Sequence, residues 1–461
     1  MKGIVVFLLS ICFVLNSYAQ EIVIFPDNNF KEALLNHNPT IDTNKDGEIQ
    51  VIEANLITEL NLQYKDISSI EGIEAFTALT HLNCGWNNLT SCDLSANISL
   101  IKINLYNNGL QTLNLNKALK ALDCSSNNLR TINLTNNTAL ETLLCHYNNL
   151  GNIDLSSNIA LTKLECGENN LSTLNLNYNI GLTYLECSSN LLSTLNISSI
   201  STLTFLNCSR NKLSTLDISN NTGLLDFNCS YNELNRVDTS NNTTLTRFHC
   251  SYNKLNEIDV SKNILLTDFE CMGNNLLTLD VSKNIALIRL GCDGNKLSVL
   301  DVDDNIKLEH LTFSWNNLKI INVSHNVALS TLFCHSNKIT KLDISKNTAL
   351  TSLDCNTNNL SKLNVNNNKA LKHLICGSNN LSSIDVSTNR YLQSLNINDN
   401  LKIKFINLKN INSANFYMNH SNFTNLPSLQ SICVDRLDTE LTKLISKDVN
   451  HQVIFKTSCN K

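Results

Sequence analysis

The sequence predicts a repeat solenoid, mostly β, with a short helical cap at its N-terminal end and an α/β cap at its C-terminal end. Three observations predict it. A 21-residue unit recurs, most plainly in 266–286, LTDFECMGNNLLTLDVSKNIA. Within that unit the spacing of apolar residues repeats, and one position is Asn in every copy. A fixed short period must be read before any other motif, because each copy is one structural turn that buries its apolar edge only against its neighbours.

Counting Leu266 as position 1, apolar side chains fall at positions 1, 4, 6, 11, 14 and 16: Leu266, Phe269, Cys271, Leu276, Leu279 and Val281. The spacing 1, 4, 6, 9 therefore recurs at 11, 14, 16, 19. Apolar residues two apart show the alternation of a strand. Each turn is expected to hold two short extended segments on opposite sides of a narrow coil. Burying one aliphatic side chain stabilises by roughly 1.5–3 kcal/mol. About six per turn offset the entropy of ordering that turn once neighbours cover them. Position 9 runs Asn87, Asn108, Asn127, Asn148 and then every 21 residues to Asn400. The chain must turn out of the strand there, which leaves backbone groups inside the coil. A carboxamide both donates and accepts, so stacked Asn side chains can satisfy those groups.

The pattern LxxLxCxxNxLxxLDLSxN resembles the leucine-rich repeat, in the 21-residue nested form of secreted bacterial proteins, over roughly residues 57–410. The resemblance implies a curved solenoid with a parallel strand from every turn on its concave face. The departure is Cys at position 6, where many relatives carry Leu. Of the 17 cysteines, thirteen occupy that position: Cys84, Cys124, and then every 21 residues to Cys376 except at Phe313. A slot that accepts Cys, Leu105, Phe313 or Ile397 is a hydrophobic core slot, so the ladder is expected to be buried reduced thiols acting as small hydrophobes. Turns about 5 Å apart do not exclude pairing by distance. A row of side chains pointing one way does not converge on a metal. Cys92 at position 14 reads as core as well.

In chain order, residues 1–19 read as a signal peptide, with Lys2 as the positive start, Ile4 to Leu15 as the apolar run and Ser17-Tyr18-Ala19 as the cleavage site. That run is too short to span a membrane, and no other segment could. Residues 20–56 form an N-terminal cap, with an amphipathic helix expected at 28–35. Within it, Asp42 to Glu53, DTNKDGEIQVIE, resembles the calcium loop of EF-hand and dockerin proteins. Such a loop needs hard oxygen ligands at alternating positions, a Gly for the sharp turn and a closing carboxylate. By that resemblance Asp42, Asn44 and Asp46 supply side-chain oxygens, Glu48 its backbone carbonyl, Gln50 a direct or water-mediated contact, and Glu53 closes the shell. Gly47 makes the turn, and Ile49 points into the cap. There is one loop and not a pair, so a structural calcium ion is expected and not a switch. Residues 57–83 form a divergent first turn, resembling the entry turns of internalin-type proteins. After Asn400 the register slips, and 411–461 read as a C-terminal cap, with a strand near 429–434, a helix at about 438–445 and an extended segment around 453–455. Cys433 and Cys459 lie off the ladder and flank this helix. In a secreted chain they are expected to pair and staple the cap.

A net charge of −5 argues against nucleic acid, which needs a basic stripe. No G-x-S-x-G, H-E-x-x-H or P-loop occurs, and the chain is not expected to be an enzyme. The outward positions of the strand face are 3, 5, 7 and 8. Most carry Ser, Asn, Gly or Thr, but the middle and late turns differ. Position 3 carries Tyr184, Phe205, Asp226, Arg247, Asp268, Arg289 and His310. Position 8 carries Arg210, Tyr231, Tyr252 and Trp315, position 5 adds His249, Glu270 and Phe333, and His335 follows at position 7. Exposed aromatics with Arg are what interfaces use as anchors. The competing reading is a tolerated strand surface, because aromatics suit a pleated face and Asp226-Arg247-Asp268-Arg289 forms a charge ladder between turns. The chain is thus expected to be a secreted or cell-surface, monomeric, non-enzymatic module that binds a protein or glycan on its concave face. The alternative is a surface or matrix spacer with no single ligand. On the opposite side, Asp217, Asp238, Asp259, Asp280 and Asp301 form a uniform row at position 15 that reads as structural.

Overall fold

The computed structural model describes residues 21–411, 416–417, 421–437, 440–449 and 451–459. The signal segment expected at 1–19 lies outside them. The chain divides into two compact units, 1–137 and 138–461.

The first unit opens with the helix Asn28–Leu35. Asp27 caps it, its carboxylate accepting the Phe30 N–H at 2.9 Å, and the helix buries Phe30, Ala33 and Leu34. The turns that follow contribute the strands Glu59–Asn61, His81–Asn83, Lys102–Asn104 and Ala121–Asp123, paired in parallel. A second parallel pair, Ser91–Asp93 with Thr112–Asn114, lines the return side of the coil.

Among the described residues, thirteen three-residue strands of the second unit form one parallel ladder, from Thr142–Leu144 to Ser394–Asn396. Successive strands are 21 residues apart, so Arg247 faces Asp268, Phe248 faces Phe269 and His249 faces Glu270. Each strand occupies positions 3 to 5. The residue at position 4 points into the coil, and those at 3 and 5 point out. Phe227, Phe248 and Phe269 are fully buried at position 4, their rings stacked at centroid spacings of 5.4 and 5.5 Å. The thiols at position 6 are buried. Burial pushes up the thiol of Cys84 and those from Cys166 to Cys376, Cys84 and Cys376 to about 12, so these stay protonated and unreactive.

Two amide ladders run beside this core. At position 9, Asn253 Nδ2 donates to the carbonyls of Cys229 at 3.0 Å, Cys250 at 3.1 Å and Ser251 at 3.3 Å, while its Oδ1 accepts the Leu234 N–H at 3.0 Å. At position 19, Asn263 Nδ2 donates to Thr239 O at 3.1 Å and Asn242 O at 2.8 Å.

The return side differs from expectation. Among the described residues its extended segment forms a paired strand only in the first unit and again from Ser383–Asp385 onward. Between these, most turns make one backbone hydrogen bond to their predecessor there, such as Lys254 N–H to Leu234 C=O at 2.8 Å, and the turn from Leu329 adds a second, Thr340 N–H to Lys319 C=O at 3.1 Å. The N–H of Leu255 goes to Asn274 Oδ1 at 3.0 Å, as that of Leu110 goes to Asn127 Oδ1 at 3.0 Å in a turn whose return segment does pair. In the C-terminal cap this side takes over. Ser383–Asp385, Phe405–Asn407, Ser431–Cys433 and Ile454–Lys456 pair in parallel. The helix Glu440–Asp448 joins the last two, and Cys433 is disulfide-bonded to Cys459 with a Cα–Cα distance of 5.9 Å. No described helix is long and apolar enough to cross a membrane.

Candidate functional site

The outward residues of turns 182–337 lie on one face of the second unit. Positions 3 and 5 flank the buried position 4, so they project to the same side. Position 8 sits where the chain leaves the strand, in left-handed backbone: φ is 53° at Arg210, 56° at Tyr231, 54° at Tyr252 and 55° at Trp315. The same conformation recurs at Ser189 and Ser336, so the coil imposes it and the aromatic residues merely tolerate it. Gly273 and Gly294 take the two position-8 places between Tyr252 and Trp315. A Cβ on Gly273 would meet Tyr252 Cδ1 at 2.6 Å, so the glycine makes room for the Tyr252 ring.

The aromatic side chains are already arranged against one another. Tyr184 and Phe205 stack at 4.1 Å between ring centroids, with Lys163 Nζ 4.7 Å from the Tyr184 ring. Tyr231 and Tyr252 stack at 4.4 Å, and the Arg210 guanidinium lies 4.5 Å from the Tyr231 ring. Trp315, 65% exposed, meets His335 edge to face at 5.7 Å. Phe333 and His310 are half-buried on the strands Thr331–Phe333 and His310–Thr312.

Between the aromatic groups lies a charged centre. Arg247 pairs with Asp226, and Arg289 Nε donates to Asp268 Oδ2 at 3.1 Å. The Arg charges are therefore partly neutralised by neighbouring turns, as the charge-ladder reading requires. His249 Nε2 lies 3.3 Å from Asp268 Oδ1. Burial works against protonation of His249, but the Asp268 carboxylate, with Glu270 and Asp226 behind it, outweighs burial and raises its pKa. The Asp268 carboxyl is desolvated, yet His249 and Arg289 hold it below the usual carboxylate range.

Sequence reasoning missed a second aromatic run. In the first unit Tyr64 stacks on Trp86 at 5.4 Å, and Trp86 meets Tyr106 edge-on at 5.5 Å. Trp86 occupies position 8 and Tyr106 position 7 of their turns, so the same position rule, carried back to the first turns, would have found them.

The cap loop is held by its own side chains. Asp42 accepts the N–H groups of Lys45 at 2.6 Å and Gly47 at 3.0 Å, and Asp46 accepts that of Glu48 at 2.9 Å. Gly47 has φ +81°, and buried Ile49 accepts the Val23 N–H at 2.9 Å. Gln50 Nε2 donates to Asp46 Oδ2 at 2.8 Å, and Asn44 Nδ2 to Gln50 Oε1 at 3.1 Å. Glu53 Oε1 accepts both the N–H and the hydroxyl of Thr43 at 2.7 Å, and Oε2 accepts the Gln50 N–H at 3.1 Å. Burial raises the Glu53 pKa, but these bonds outweigh it and hold the carboxyl below its ordinary value. The donor set, carboxylates and carboxamides only, suits a hard cation. A calcium ion would have to displace the amide donors on Asp46 and turn Glu53 away from Thr43. Among the described residues, the group of three His, Cys, Asp or Glu side chains whose ligand atoms lie within 4.8 Å of one another is elsewhere: His249, Asp268 and Glu270.

No family model and no curated protein matches this chain. Solved structures do. The functional domain of InlJ from Listeria monocytogenes, described as including a cysteine ladder, is 28% identical over 89% of this chain and 80% of its own, with a TM-score of 0.65. The LRR protein LIC12759 of Leptospira interrogans is 21% identical over 70% of this chain and 97% of its own, at a TM-score of 0.60. A TDR receptor is 18% identical over 88% of this chain and 86% of its own, at a TM-score of 0.68. The repeat register, the inward Leu and Cys positions and these likenesses agree: in fold, the chain is a leucine-rich-repeat solenoid.

Proposed function

We propose that the chain is a secreted or cell-surface, non-enzymatic binding module that takes a protein ligand on the strand face of turns 182–337. The observation that carries this reading is the pair of pre-stacked aromatic groups, Tyr184–Phe205 and Tyr231–Tyr252, with Trp315 beyond them. A soluble surface gains nothing from large exposed rings, and a binding surface gains anchors. Here their rotamer freedom is already restricted by stacking, and their backbone is a hydrogen-bonded coil, so less entropy is lost on binding. A glycan is the narrower version of the same reading, since ring faces also suit sugars. The module acts as a monomer, and residues 1–19 direct its export.

One observation favours the spacer reading: Arg247 and Arg289 are paired within the face and not left free for a partner. Replacing Tyr231, Tyr252 and Trp315 together by Ala separates the two. A binding module loses its partner in pull-down while its melting curve stays within a few degrees. A spacer keeps every association it had.

We also propose that the 42–53 loop binds one structural calcium ion through Asp42, Asn44, Asp46, Glu48, Gln50 and Glu53. The support is the donor set and the turn at Gly47. Calcium should raise the melting temperature over that in EGTA, and Glu53→Gln should remove the difference. Equal melting temperatures in calcium and EGTA would make the loop a metal-free cap.

A further inference from the structure

We propose that His249, Asp268 and Glu270 form a binding site for one divalent transition-metal ion of the zinc class, with its remaining coordination position open to solvent. The site is built by two adjacent strands, Arg247–His249 and Asp268–Glu270. Their register sets His249 directly beside Glu270 and places Asp268 on the diagonal, all at outward positions. Their ligand atoms lie within 4.8 Å of one another.

The second observation is the state of the facing atoms. Asp268 is only 8% exposed. Its Oδ2 is taken by Arg289 Nε at 3.1 Å, while its Oδ1 faces His249 Nε2 at 3.3 Å. Both facing atoms are buried, and neither makes a hydrogen bond of acceptable geometry. A buried polar pair left in this state needs an explanation. Tetrahedral zinc holds nitrogen and oxygen ligands at roughly 2.0–2.1 Å, and the edge of that tetrahedron is about 3.3–3.4 Å. The His249–Asp268 separation of 3.3 Å matches two ligands on one ion as well as it matches the direct ion pair.

The donor set is one imidazole nitrogen and two carboxylates. It suits zinc and its first-row neighbours better than calcium or magnesium, which take shells of oxygen. With neutral His249 the ligands carry two negative charges, matching a divalent ion. Arg247 is turned to Asp226, and Arg289 holds the far oxygen of Asp268, orienting that carboxylate as an outer-shell partner. The next strand sets Gly291 beside Glu270 and adds no side chain there. The open position faces the same surface as Tyr252 and Arg289, so a carboxylate or imidazole of a docked partner could complete the shell. The site itself does not depend on any partner.

Cobalt(II) alone is the probe, titrated into the metal-free chain after EDTA treatment. One equivalent should produce the visible absorption of a tetrahedral ion without a thiolate charge-transfer band, and zinc should displace it. Glu270→Gln and His249→Ala should each weaken binding by more than roughly tenfold, the scale of even outer-shell changes, while His335→Ala leaves it intact. Melting curves identify any variant that has lost its fold, and Glu270, half-buried at the surface, is the safer of the two. Absence of the band would mean that an imidazolium held by carboxylates is all the cluster is. A thiolate band, or binding unchanged in both variants, would equally overturn the site.

Discussion

Four hydrogen bonds converge on Asn253, three donated to carbonyls of two turns and one accepted from a third segment. No other side chain of that length supplies both roles. Asn253→Ala leaves the Leu234 N–H buried without a partner, at about 1–3 kcal/mol unless water rescues it, and takes one of two donors from the Cys229, Cys250 and Ser251 carbonyls. It should lower the denaturation midpoint and speed amide exchange across the 229–255 segment. Asn253→Asp should be worse, because a carboxylate then faces the same carbonyls. His249 makes a prediction with a sign. Its folded pKa lies above 6.5, so its contribution is complete below that value and is lost as pH rises through the folded pKa. Asp268 is depressed and runs the other way, losing its contribution as the solution is acidified. In EDTA, the melting-temperature advantage of wild type over His249→Gln should therefore shrink between pH 6 and 9. A constant advantage would show that the ion pair does not form. The amide ladder was legible because a turn inside a coil leaves both donors and acceptors to satisfy. The charge ladder was legible because a 21-residue period puts Asp226, Arg247, Asp268 and Arg289 in line. The His249–Asp268–Glu270 cluster was not, since it rests on a diagonal contact and on rotamers that periodicity does not encode.

At the scale of the element, strand and return segment obey one apolar spacing and yet differ in structure. The pattern 1, 4, 6 became a ladder of strands, while 11, 14, 16 stayed unpaired in most turns. The position-9 Asn does not decide this, since Asn127 and Asn400 capture the same N–H beside return strands that do pair. Apolar spacing reports which side chains point inward, but not which backbone groups remain free to pair. In the C-terminal cap the return side becomes the sheet, and the disulfide between Cys433 and Cys459 closes a loop across a sequence separation of 26. On loop length alone that link constrains the unfolded chain by about 3.5 kcal/mol. Cys459→Ala should raise amide exchange in Ser431–Cys433 and Ile454–Lys456 first, with the strands before Ser394 protected as before. Uniform loss of protection would contradict a cap that frays on its own.

For the molecule as a whole, the repeat determines the scaffold and leaves function to the few positions it does not constrain. Positions 1, 4, 6, 9, 11, 14, 16 and 19 are committed to the core and its amides. Positions 3, 5, 7 and 8 are free to vary, and there the aromatic and charged residues gather in turns 182–337. That face was legible by subtraction, once the inward positions were assigned. Its stacking partners were not, because the choice of Tyr231 to lie on Tyr252 needs the left-handed turn and the space at Gly273. The most direct test of a binding face is photocrosslinking in the producing cells and their surroundings, with the crosslinker placed at Tyr252 or, on the return side, at Lys283. The account predicts a discrete protein adduct from position 252 that Tyr231→Ala with Trp315→Ala abolishes, and none from position 283. Equal, diffuse labelling from both positions would contradict it and leave the spacer reading in its place.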